Sequence, residues 1–261
     1  MSGRLRHFAC GRTTHDTARL FDGAPRGVRA FPAGVFLYEH DDRRVLFDTG
    51  YATGAWRTGW RGAAYRRLLP PEAGPADDVA AVLRADDVDP PDVTHVVLSH
   101  LHPDHIGGVV RFPQARFITT AGQESARQRP TLRSGILTGL LPDWYESAPR
   151  TVLAEQDFAL AGPAGLRAHD LFGDGRLLVL DLPGHADGHI GLLVEGRVLL
   201  AGDAGWGADL LPAADRMRPL PRFVQHDATA YRATARTLGL AADAGIRVVC
   251  SHDPVTSREL L

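Results

Sequence analysis

Apolar residues along this chain fall into short runs, five to eight positions long, separated by Gly, Pro and Asp. "GVFLYEH" (34–40) and "RRVLFDTG" (43–50) flank the polar pair Asp41-Asp42 and predict a β-hairpin. "DDVAAVLRADDV" (77–88) changes period: Val79, Val82 and Leu83 share one helical face, with acids in the first turn. "VTHVVLSH" (93–100) reads as a buried strand. "ARFITTAGQESARQR" (115–129) reads as strand, turn and helix, with Thr120 in the capping position. Residues 130–165 break this order. "LRSGILTGLLPDWY" (132–145) is apolar without strand alternation and predicts a helical or loop excursion over a substrate site.

Regular patterning resumes with "RLLVLDLPGH" (176–185), "HIGLLVEG" (189–196) and "RVLLAGD" (197–203), three strands in succession with Glu195-Gly196 as a turn. "DATAYRATARTLGLAADAG" (227–245) predicts a helix between Asp227 and Gly245, and "IRVVCSHD" (246–253) a last strand. Strands followed by a helix, twice over, fit two sheets packed face to face with helices outside, the halves meeting near residue 150. The 261 residues are expected to form one α/β domain over 1–261.

Composition narrows the function mostly by exclusion. A formal charge of −2 gives no general pull toward nucleic acid or anionic membrane. Cys10 and Cys250 are too few for a disulfide framework and form no CxxC pair, so two reduced thiols in a cytoplasmic protein are expected. No apolar stretch is long enough for a signal peptide or a membrane span. There is no G-x-S-x-G elbow for a serine nucleophile.

The chemistry concentrates at strand ends. "LSHLHPDHIGG" (98–108) holds His100, His102, Asp104 and His105; "PGH" ends at His185, "GD" at Asp203, and "SHD" carries His252. On a chain leaving a strand, His100 and His102 project to the same side. Pro103 stiffens the turn that sends Asp104 and His105 elsewhere, and Gly107 and Gly108 allow tight backbone geometry. Seven such donors exceed the four that one zinc takes and suit two metals sharing a carboxylate at Asp203. Imidazole and carboxylate ligands accept zinc first, and also Fe, Mn, Co or Ni. Asp48 is expected to orient a ligand histidine, and His189 to support the site rather than ligate. Cys250 and Asp253 read as core and turn residues. Arg216, Arg218 and Arg222 read as a solvated loop face.

In this order, "LFDTG" with Asp48, HxHxDH, "PGH", "GD" and "SHD" resemble the five motifs of the metallo-β-lactamase superfamily. The resemblance implies a four-layer αββα sandwich. It implies one divalent metal on His100, His102 and His185, a second on Asp104, His105 and His252, and Asp203 bridging. It also implies hydrolysis in which a metal-bridging hydroxide attacks an ester carbonyl, with Asp104 doubling as a proton shuttle. "PGHADGH" and the terminal "SHD" look most like the N-acyl-homoserine-lactone lactonases, so a small-molecule lactone or ester is the expected substrate. Thioester hydrolysis, as in glyoxalase II-like relatives, and phosphodiester cleavage are the alternatives. Related lactonases include homodimers. Lactonases commonly carry a tyrosine three residues after the bridging aspartate; Trp206 stands there in this chain and is the candidate pocket residue.

Overall fold

The computed structural model describes residues 3–261. One sheet comprises β1 (Arg4–Asp16), β2 (Val28–His40), β3 (Arg43–Phe47), β4 (His95–Val97), β5 (Arg116–Thr120) and β6 (Arg150–Leu153), hydrogen-bonded in chain order. The other comprises β7 (Leu160–Ala161), β8 (Arg167–Asp170), β9 (Leu177–Asp181), β10 (Ile190–Val194), β11 (Val198–Leu200) and β12 (Arg247–Val249), also neighbour to neighbour in chain order. The hairpin expected at 34–50 is β2–β3, closed at Asp41, whose φ is +52°. Glu195 (φ +49°) and Gly196 (φ +65°) close β10–β11 in the left-handed region that a two-residue hairpin turn requires.

Period-two alternation sorts the side chains into layers. Phe36, Tyr38, Val45 and Phe47 of the first sheet face Leu177, Val179, Ile190, Leu192 and Val198 of the second, forming the core between the sheets. Their neighbours Val35, Leu37 and Leu46 point the other way. There they meet Val79 and Leu83 of the helix Val79–Arg84, capped by Asp78. Leu180, Leu193 and Leu199 meet Tyr231, Ala235 and Leu238 of the helix Ala228–Asp243, capped by Asp227. The architecture is therefore the expected αββα sandwich. Among the described residues, no helix is long and apolar enough to cross a membrane.

The structure adds detail at three places. β1, thirteen residues long, was not legible as a strand. The halves meet a few residues after 150, because β6 still belongs to the first sheet. Residues 132–145 contain only short 3-10 turns, and Ile136, Leu137 and Leu140 are buried in the outer core beside the first sheet.

Two side chains join the halves where they must coincide. Thr120 caps the helix Ala121–Gln128 by accepting from the Gln123 amide, and its hydroxyl donates to Gly188 O. The buried Gln123 Nε2 donates to Leu98 O, Ser99 O and Gly188 O at 3.0–3.1 Å. A Gln123→Ala variant would leave Leu98 O without a donor and remove the amide link to Ser99 O and Gly188 O, which keep the Ile190 amide and the Thr120 hydroxyl; it should lose about 1–3 kcal/mol of stability in chemical denaturation.

Candidate metal centre

The strand ends deliver the donors as the sequence spacing requires. β4 ends at Val97, and His100 and His102 leave it on extended chain. Pro103 then opens a single helical turn, Pro103–Ile106, that carries Asp104 and His105 to a different side. Gly107 and Gly108 have ordinary helical-side φ values of −60° and −93°. What they provide is space rather than unusual torsion. A Cβ on Gly107 would lie 2.0 Å from Ala52 N, and one on Gly108 2.4 Å from Thr49 O.

Two donor clusters result. One ligand atom each from His100, His102 and His185 lies within 4.8 Å of the others, and the same holds for Asp104, His105, Asp203 and His252. In the first, His102 Nδ1 stands 2.9 Å from His100 Nε2 and 3.0 Å from His185 Nε2. Each ring's far nitrogen has a protein acceptor: His100 Nδ1 donates to Ser99 Oγ (3.0 Å), His102 Nε2 to Ser134 O (2.9 Å) and His185 Nδ1 to Gln225 Oε1 (2.9 Å). With those protons turned outward, three lone pairs converge on one point, the arrangement of a metal site with its ligands held in one tautomer.

In the second cluster His105 Nδ1 donates to Asp48 Oδ2 (2.7 Å), and His252 Nδ1 to Pro32 O (2.8 Å). His105 Nε2 then faces Asp203 Oδ1 at 3.4 Å and Asp104 Oδ2 at 3.6 Å. Both His105 Nε2 and Asp203 Oδ1 are buried with no hydrogen-bond partner, which a bound cation would satisfy. The donors thus fit a divalent ion at each cluster. Asp203 lies between them: its Oδ2 is 3.1 Å from His252 Nε2 and 3.5 Å from His185 Nε2.

Electrostatics separates the two. Burial pushes His100 and His185 well below the usual histidine range, so both rings stay neutral with lone pairs free. Burial also opposes charge on His105 and His252, but the carboxylates prevail. Asp48, Asp104 and Asp203 hold His105 well above its ordinary value, and Asp203 and Asp104 raise His252 to about 9. The carboxylate-rich cluster demands positive charge, supplied by protons or by metal.

The expected supporting residues are in place. Asp48 is fully buried at φ +60° and accepts from Ser99 N and Ser99 Oγ, both at 2.8 Å, besides His105. A non-glycine residue held there is strained, and here the strain buys ligand orientation. His189 stays off both clusters. Its Nδ1 donates to Leu182 O and its Nε2 accepts from the Asp203 amide (3.0 Å), which fixes the carboxylate's backbone. Trp206 is half-buried, edge-on to Phe21 at 6.1 Å between ring centroids. Asp253 accepts from the Ala208 and Cys250 amides, a turn role.

The metallo-beta-lactamase superfamily model matches residues 28–252. The chain belongs to that superfamily. It is 30% identical over 239 residues to the N-acyl homoserine lactonase AttM of Azorhizobium caulinodans, covering 85% of this chain and 82% of the relative. It is also 30% identical over 231 residues to a probable metallo-hydrolase of Mycobacterium tuberculosis, covering 84% and 74% respectively. In fold it resembles an N-acyl homoserine lactone hydrolase solved with N-hexanoyl-L-homoserine at its catalytic metal centre. That likeness has a TM-score of 0.72 and 20% identity, covering 97% of this chain and 94% of that one. Like other members of this superfamily, the protein is a metal-dependent hydrolase.

Several functional residues escaped the sequence reading. Ser99 had one signal, its place before the first histidine. Ser134, Gln225 and Pro32 had none, two of them acting through backbone carbonyls. Tyr51 and Tyr65 lie with hydroxyls 3.4 Å apart, and burial, then the Asp104 carboxylate, holds both phenols protonated.

Replacing Asp48 by Asn should weaken metal binding roughly 10–100-fold in chelator competition, because His105 loses its orienting carboxylate. A pH effect follows from His252. Its folded value, about 9, exceeds the ordinary 6.5, so its contribution to metal-free stability is complete below 6.5 and lost as pH rises through 9. Metal-free protein should therefore melt at a lower temperature at pH 9.5 than at pH 6.5. Metal affinity should increase over the same interval as the competing protons leave.

Proposed function

We propose that the protein hydrolyses lactones at a dinuclear centre, with zinc as the metal of first choice. The observation that carries this reading is the Asp203 carboxylate, reaching donors of both clusters at 3.1–3.5 Å. His100, His102 and His185 would hold one ion; Asp104, His105 and His252 the other; Asp203 would serve both. Two such ions, when bound, bring water ionisation toward neutral pH and polarise an ester carbonyl. The lactonase relatives favour a lactone among esters.

The chain's own part is positioning and proton handling. Five histidines are held in one tautomer by Ser99, Ser134, Asp48, Gln225 and Pro32, so the donor geometry is set before substrate arrives. Asp104, buried at the carboxylate-rich cluster, would carry a proton to the ring-oxygen leaving group. Asp48 and His189 act through His105 and Asp203. Trp206, packed on Phe21, would form an apolar part of the substrate pocket wall.

The test uses one metal-loaded preparation against N-acyl homoserine lactones, simple γ- and δ-lactones, an S-acyl glutathione and a phosphodiester. Lactones should have the highest kcat/KM. Faster cleavage of the thioester would transfer the assignment to the glyoxalase II-like reading. Asp203→Ala should lose bound metal and lactone turnover together, and full turnover without metal would overturn the proposal. Asp104→Asn should lower kcat by about 100-fold or more.

A further inference from the structure

The acceptors behind the two clusters come from different parts of the fold. Asp48 and Pro32, behind His105 and His252, belong to the first sheet: Pro32 lies within β2 and Asp48 follows β3 directly. Ser134 and Gln225, behind His102 and His185, lie on two irregular segments that are 91 positions apart in the chain (225 minus 134). Neither segment has strand pairing to hold it, so something else must keep both acceptors at their histidines.

Arg133 spans the gap. It directly precedes Ser134, and its guanidinium reaches across to the other segment. Nε donates to Phe223 O (3.0 Å), and Nη2 donates to Gln225 O (2.8 Å) and His226 O (3.3 Å). The guanidinium also lies over the Phe223 ring, 5.3 Å from its centroid. On the far side, Gln225 Nε2 donates to Pro221 O and the His226 amide donates to His185 O, so the clamped segment is tied back to the ligand's own backbone. His102 is thus linked by a hydrogen bond to Ser134, through the peptide bond to Arg133, and by hydrogen bonds from Arg133 to Gln225 and from His185 to Gln225. Among the described residues no carboxylate pairs with Arg133, and its Nε and Nη2 donors go to these carbonyls.

We infer that Arg133 is a positioning residue for the three-histidine cluster, holding the acceptors of His102 and His185 in register across the two segments. This rests on the reading of the two clusters as metal sites. The planar guanidinium fixes the directions and spacing of donors on two nitrogens, Nε toward Phe223 O and Nη2 toward Gln225 O and His226 O. Lysine, a single ammonium, cannot reproduce it. The effect must be confined to one cluster, because the outer partners of His105 and His252 do not involve Arg133.

Metal-free wild-type, Arg133→Ala and Arg133→Lys proteins are titrated with Co2+, following visible absorption and stoichiometry, with unfolding of each metal-free protein measured alongside. Wild type should take up two equivalents. Arg133→Ala should bind one with wild-type affinity and the other roughly 10–100-fold more weakly. Arg133→Lys should fall between, and the metal-free proteins should unfold alike. Unchanged affinity at both sites in Arg133→Ala overturns the inference. So does equal weakening at both, which would mark a general loss of structure. Fewer than two equivalents in wild type overturns the two-site reading itself, separately from the role of Arg133.

Discussion

The centre depends on one carboxylate withdrawn from water. Asp48 follows β3 at a left-handed φ, fully buried, where a lone charge would be expensive. Its cost is offset by the three hydrogen bonds that shape the motif loop, from the Ser99 amide, the Ser99 hydroxyl and His105 Nδ1. Because Ser99 Oγ donates to Asp48, its lone pairs face His100 Nδ1, so one carboxylate fixes the tautomers of a ligand in each cluster. The loop is oriented from below, by a residue that need not touch metal or substrate.

The second requirement is that the two halves meet. His100, His102, Asp104 and His105 come from the first sheet's strand ends, and His185, Asp203 and His252 from the second's. Apolar packing between the sheets is non-directional and tolerates small slips. Directional polar bonds at the rim are therefore needed to set the registration. Gln123 ties Leu98 and Ser99 to Gly188, the Ile190 amide donates to Ser99 O, and the Gly34 amide donates to Ser251 O beside His252. The polar links cluster at the edge where the donors converge, while the apolar core fills the space behind.

Legibility in the sequence followed the same division. Strands with clean alternation, the Asp227 cap and the donors at strand ends could all be read, because each is a local pattern; the acids expected in the first turn of the helix Val79–Arg84 stand before it instead, with Asp78 as its cap. β1 could not be read, since its inward positions are not all apolar. Arg6 is buried among Glu39 and Asp86, and His7 is buried and stacked on Phe36 at 4.3 Å, so charged and polar residues interrupt the alternation that marks a strand. The apolar run at 132–145 suggested a cover over the site. Within it Ile136, Leu137 and Leu140 enter the core, and Ser134, just before them, meets His102. Asp48 and His189 were legible because carboxylates and imidazoles announce themselves. Pro32 and Ser134 act through carbonyls that every residue possesses, and only the tertiary path of the chain selects them.

The two clusters differ in charge as well as in anchoring, and the difference suits hydrolysis. A divalent ion held by the three neutral imidazoles would keep more of its charge than one beside Asp104, and would be the better suited to polarise a carbonyl oxygen. Asp104 would neutralise more of the charge at the other position, and proton handling is proposed on that side. Asp203 couples the pair, since any shift of its carboxylate toward one cluster withdraws it from the other. His189 limits that shift at the backbone by accepting from the Asp203 amide, and Gly202 leaves room for its ring, since a Cβ there would lie 2.8 Å from the same nitrogen. The carboxylate that faces both clusters is thus held from its own main chain.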